Sequence, residues 1–207
     1  LPSLFGTPGR EVSNGYVAQS TGWACVSKEF ATWVRNRTSP ATHWCKALAR
    51  HEHEQCGGPG VGVVGMCLTG NFALAMMVDP VVAAPVLSQP SLPFVLSKGH
   101  RADVNRSPAD LRAVKDRCAA EPDLCVLGLR VTGDRLAPGE RFETLRRELG
   151  DSFVGVEIDS SKGNAHGIRA AAHSVLTEDL VDEPGHPTRE ALDQVLDLFR
   201  SRLLDAG

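Results

Sequence analysis

Four short apolar runs, separated by stretches of helical spacing, set the rhythm of this chain. Val61-Gly62-Val63-Val64-Gly65-Met66 shows no polar alternation, as expected of a strand covered on both faces in a parallel sheet. Residues 81–87, 124–131 and 153–158 read as three further strands. Between them the period changes. Ser39 and Pro40 supply an N-cap and a first-turn proline for a helix in which Ala41, Trp44, Cys45, Leu48 and Ala49 recur at three and four residues, stopping at Cys56-Gly57-Gly58. From Leu68 a second helix can pack Phe72, Leu74, Ala75 and Met76 before Asp79-Pro80 ends it. Ser107-Pro108 opens a third, through Leu111 and Val114 toward Cys118, and 138–149 and an amphipathic 187–204 give two more. Strands alternating with helices predict an α/β fold: a mostly parallel sheet with helices on both faces. One domain over 1–207 is expected, with 1–38 an irregular lead-in to a core of 39–207.

Composition narrows the function classes. The chain has 207 residues, 42% of them hydrophobic, enough to bury one sizeable core. Lys and Arg number 22 against 25 Asp and Glu, and the charges are scattered, so no basic stripe for nucleic acid is present. Gly, Pro, Asn or Asp interrupt every apolar stretch short of the roughly 18 to 20 residues a membrane span needs. No basic segment followed by an apolar one marks 1–9 as a leader, so the expected location is cytoplasmic. Six cysteines without a C-x-x-C pair, in a chain this long, are expected to be reduced thiols. Leu1-Pro2-Ser3-Leu4-Phe5-Gly6 reads as the exit of a strand, so the fold is expected to be N-terminally incomplete.

In open parallel sheets, functional groups gather beyond the carboxyl ends of the strands, and reactive residues stand at three such positions. Cys67 ends the first run, where Gly65-Met66-Cys67-Leu68-Thr69-Gly70 joins a buried strand to a helix through a sharp turn that exposes the side chain. The helix start beside it favours thiolate and a developing oxyanion, with the Leu68 backbone N–H as one donor. Asp134 lies beyond the third strand and His173 beyond the fourth, giving the chain order nucleophile, acid, histidine. His173 would take the thiol proton and later activate water, while Asp134 would fix its tautomer. Simpler readings exist for each. A cysteine among apolar residues is commonly a small buried hydrophobe, Asp134 after Gly133 is a good turn former, and His166 and His186 compete with His173 as loop histidines. His43, Cys45, His51, His53 and Cys56 suggest zinc by type, but His51 and His53 face different sides of a helix and His43 lies two turns away, so no metal site is expected. Gly57-Gly58-Pro59-Gly60 precedes its strand and lacks the Gly-Lys-Ser/Thr ending of a phosphate loop. Trp23, Trp33, Trp44, Met66, Met76 and Met77 read as packing residues.

Three segments carry a family resemblance. Gly65-Met66-Cys67-Leu68-Thr69-Gly70 is similar to the cysteine elbow of the dienelactone hydrolase family. Gly128-Leu129-Arg130-Val131-Thr132-Gly133-Asp134 resembles its strand leading into the catalytic Asp, and Ala172-His173-Ser174-Val175-Leu176-Thr177 its catalytic His segment. The likeness runs from about Pro59 onward. It implies an α/β-hydrolase fold, a Cys67-His173-Asp134 triad, hydrolysis of a small-molecule ester or lactone, and no metal or organic cofactor. It also selects His173 over His166 and His186. The family's second oxyanion donor, and a Glu that contacts the resting cysteine, come from a stretch that would precede Leu1. Thr177 occupies the position of an Arg that anchors the substrate carboxylate in the dienelactone enzyme, so dienelactone itself is not the expected substrate. Two other readings belong beside this one: a catalytically silent α/β-hydrolase-like domain acting as a binding module, and a glutamine amidotransferase. The latter pairs its cysteine with His-x-Glu, which neither His173-Ser174-Val175 nor His166-Gly167-Ile168 provides.

Overall fold

The computed structural model describes residues 40–92 and 97–204, with scattered positions between 7 and 22. Cys25, Trp23, Trp33, the Ser39 cap and most of the 1–38 lead-in lie outside the described residues. Among the described residues the α-helices and strands run in the order α1 (Pro40–Cys56), β1 (Val61–Met66), α2 (Gly70–Met76), β2 (Val82–Ser88), α3 (Lys98–Ala102), α4 (Pro108–Ala120), β3 (Val126–Val131), α5 (Gly139–Leu149), β4 (Phe153–Ile158) and α6 (Pro187–Phe199).

Among the described residues the strands form one four-stranded, all-parallel sheet in the order β1-β2-β3-β4. Each crossover therefore steps to the next strand, and the carboxyl ends come level: Met66 pairs with Ser88, and Ser88 with Leu129. Apolar side chains cover both faces. Leu74, Met77, Val82, Leu87, Val114, Phe142 and Leu145 pack on one. Val86, Leu127, Leu129, Val131, Ile158, Ala191 and Val195 pack on the other, so α6 covers the face opposite α2, α4 and α5. The register slips between Val61–Val82 and Gly62–Ala84, and this bulge lets Val82 and Leu87 share a face despite their odd spacing. Burial of each Leu or Phe contributes roughly 1.5–3 kcal/mol, which makes the two faces the main source of cohesion.

The outlines follow the hydrophobic pattern, with local exceptions. β1 and β4 begin and end where their apolar runs do. β2 starts at Val82 because a turn from Val82 N–H to the Asp79 carbonyl (3.1 Å) takes up Val81. β3 starts at Val126, since Leu124 is held by a turn onto Glu121 O (2.9 Å). α3 has only five residues, too few for a visible period, and is recognisable only by its Ser97 cap on His100 N–H (3.2 Å). The last helix is α-helical to Phe199 and closes as a wider π turn over Arg200–Leu204. Among the described residues no helix is long and apolar enough to cross a membrane.

Candidate active site

Cys67 sits at the tip of β1 with φ +51°, between extended Met66 (φ −122°, ψ 142°) and a tight turn that runs into α2. For a residue with a Cβ, this left-handed conformation costs on the order of 1–3 kcal/mol and persists only where its surroundings enforce it. Thr69 supplies that enforcement: its hydroxyl donates to the Met66 carbonyl (2.8 Å) and accepts from Met66 N–H (3.2 Å). The turn is also too tight for side chains beside it. A Cβ on Gly65 would lie 2.4 Å from Thr69 O, and one on Gly70 2.5 Å from Pro90 Cα. The two glycines thus let α2 fold back against β1 and the chain beyond β2.

Beyond β3, Asp134 is 5% exposed and meets His173 Nδ1 at 2.7 Å through Oδ2. Its other oxygen accepts from Leu136 N–H (2.9 Å), which fixes the carboxylate plane. Arg130, buried on β3, fastens the same loop by donating to the carbonyls of Ala137 (2.8 Å) and Thr132 (3.0 Å). On the histidine side, Asp179 accepts from the backbone N–H groups of His173 (2.8 Å) and Ser174 (2.9 Å) and is itself paired with Arg169 (2.5 Å). With the carboxylate on Nδ1, the neutral ring carries its proton there and presents the Nε2 lone pair.

Nε2 is buried and has no hydrogen-bond partner among the described residues. It stands close enough to the sulfur for each group to shift the other. Burial pushes the Cys67 thiol up, but His173, Ser91 and the Leu68 N–H more than offset it, and the net pKa is lowered. Burial likewise disfavours charge on His173, yet Asp134 and the Cys67 thiolate raise it from 6.5 to about 10. Both shifts favour thiolate beside imidazolium, with the protons belonging to the pair rather than to either residue.

The remaining candidates do not join the site. His166 is exposed and meets His186 edge to face at 5.3 Å, while His186 caps α6 by accepting from Thr188 N–H. His43 and His51 are exposed on α1, and among the described residues no group of three or more His, Cys, Asp or Glu side chains could hold a metal ion. The five described cysteines are free thiols.

Two participants escaped the sequence. Ser91, beyond β2, brings its hydroxyl to 3.2 Å from Cys67 Sγ. Arg141, wholly buried on α5, donates to the carbonyls of Asp103 (2.6 Å), His100 (3.1 Å), Leu136 (3.2 Å) and Pro90, tying together the loops around Asp134 and Ser91. Its only signal was its place beside Phe142 on the inward side of an amphipathic helix.

A cavity of about 540 Å³ flanks the Asp134–His173 pair, with Arg135, Ser160 and Lys162 in its wall. A second, apolar one of about 370 Å³ lies between α1, β1 and α2, away from the pair, and Cys67 lines neither. Comparison of the chain with models of protein families, with curated proteins and with solved structures finds no match.

Proposed function

We propose that the chain is a cysteine-dependent hydrolase of carboxylic esters or lactones, on an α/β-hydrolase-type sheet with Cys67, His173 and Asp134 as its triad. The observation that carries this reading is the 2.7 Å bond of Asp134 to His173 Nδ1, beside a cysteine held at φ +51° at the tip of β1; the lowered Cys67 pKa, to which His173 contributes, agrees with it. The family resemblance of the three segments around these residues supports it.

In this reading the Cys67 thiolate attacks the ester carbonyl carbon, a C–S bond forms, and the displaced electron pair goes to the carbonyl oxygen, which the Leu68 N–H receives. As the carbonyl re-forms, the C–O bond to the leaving alkoxide breaks, and imidazolium Nε2–H supplies its proton. Neutral His173 then takes a proton from water, whose oxygen attacks the thioacyl carbon. Collapse expels the thiolate and releases the acid, which restores the starting ion pair. Asp134 holds the ring throughout and stabilises its charged form.

The test is chemical. At neutral pH iodoacetamide should modify Cys67 much faster than the other cysteines, and Cys67→Ala should abolish hydrolysis of a short-chain chromogenic ester by the full chain. Equal labelling of all six thiols would remove the activated thiolate and the reading with it.

A second reading, a binding domain without turnover, draws on His173 Nε2, which has no hydrogen-bond partner among the described residues. Any Cys67-dependent ester turnover refutes it.

A further inference from the structure

Ser91 reaches the sulfur from the side of β2, and its backbone is held on both its N–H and its carbonyl. Its N–H donates to the Cys67 carbonyl (2.9 Å), and its own carbonyl accepts from the buried Asn71 amide on α2 (3.5 Å). One residue earlier, Pro90 lies against Gly70, and its carbonyl is held by Arg141. Before that, Gln89 turns the chain at φ +36° with its N–H on Leu129 O (2.7 Å). The side chain is 3% exposed, and among the described residues its hydroxyl has no hydrogen-bond partner except Cys67 Sγ. Once the sulfur is a thiolate it only accepts, so the hydroxyl must be the donor.

A thioester-forming site needs donors where charge accumulates, and the Leu68 N–H is one. On attack, the negative charge moves from sulfur to an oxygen two bonds away. A hydroxyl rotor anchored at hydrogen-bond distance from the sulfur can follow it. We propose that Ser91 and the Leu68 N–H together form the anion cradle of this site, with the Ser91 hydroxyl donating to the thiolate at rest and to the carbonyl oxygen in the tetrahedral adduct. This rests on the reading of Cys67 as a nucleophile. The lowered Cys67 pKa, to which Ser91 contributes, agrees with it.

The experiment follows the pH dependence of Cys67 alkylation by iodoacetamide, site-resolved by mass spectrometry, together with steady-state ester hydrolysis. Ser91→Ala should move the alkylation midpoint upward by about one pH unit and lower kcat on the order of 100-fold with little change in KM. Ser91→Thr, which keeps the hydroxyl, should restore both. A wild-type midpoint and kcat in Ser91→Ala would overturn the proposal. If that variant does not fold, Ser91→Thr and Ser91→Val compare near-isosteric side chains with and without the hydroxyl, and equal midpoints would overturn it as well. A wild-type Cys67 that titrates as an ordinary thiol is a separate result: it removes the nucleophile itself, whatever Ser91 does.

Discussion

At the scale of single residues, the candidate chemistry depends on two protons shared among three side chains. His173 is raised to about 10 with Asp134 on Nδ1 and the thiolate near Nε2. A folded pKa above the unfolded value means that the imidazolium stabilises the fold fully below about 6.5, and that this stabilisation is lost as pH rises through about 10. Cys67 has the opposite sense: its lowered pKa contributes above the unfolded thiol value and is lost as pH falls through the folded one. The two are coupled, so removing one must change the other. In Cys67→Ala, the His173 ring protons followed by NMR should titrate well below wild type, toward 6.5, because a thiolate that raises the ring's pKa is gone. An unchanged titration would show that sulfur and ring do not interact. Cys67 and Asp134 could be singled out because each follows an apolar run directly, whereas His173, well beyond the end of β4, was preferred to His166 and His186 only by the family resemblance; of these expectations the structure shows the Asp134–His173 bond. Ser91 was not legible, because a serine after a strand is an ordinary turn residue and only the fold reveals what faces it.

Elements contribute by forcing close approach. The elbow exists because Gly65 has no Cβ where Thr69 O comes near, and because Thr69 clasps both backbone groups of Met66. Gly65→Ala would place a methyl 2.4 Å from that carbonyl, a backbone atom that cannot swing aside. The turn should open, with a loss of about 1–3 kcal/mol in stability. Denaturant unfolding should show that loss, and rapid Cys67 alkylation should disappear. Full stability with unchanged alkylation would mean that the tight turn does not hold the cysteine. The same dependence on shape explains how far the sequence could be read. The apolar runs gave β1 and β4 their limits, because an unbroken hydrophobic stretch bounded by turns has one consistent reading. α3 could not be read, because five residues carry no period and its cap is a single serine. The bulge on β2 is invisible in the same way: it answers to the register against β1, a long-range fact.

Across the whole molecule, the topology arranges the site in chain order. The strands follow one another across the sheet, and each carboxyl end delivers one group: Cys67 after β1, Ser91 after β2, Asp134 after β3 and His173 after β4. A parallel sheet with consecutive neighbours thus turns distance along the chain into adjacency at one edge, which is why strand-end residues could be selected before any geometry was known. Distances, tautomer and the buried guanidinium of Arg141 were beyond reach, since they arise where loops from several crossovers meet. The central claim is that Cys67 takes the acyl group. It is tested most directly by mixing the full chain with excess chromogenic ester, quenching in acid, and locating any added acyl mass by peptide mass spectrometry. The expected result is one acyl group on Cys67, absent in Cys67→Ala and persisting far longer in His173→Ala than in wild type. Ester turnover with no acyl mass on Cys67, or with the acyl group spread evenly over the cysteines, would contradict it.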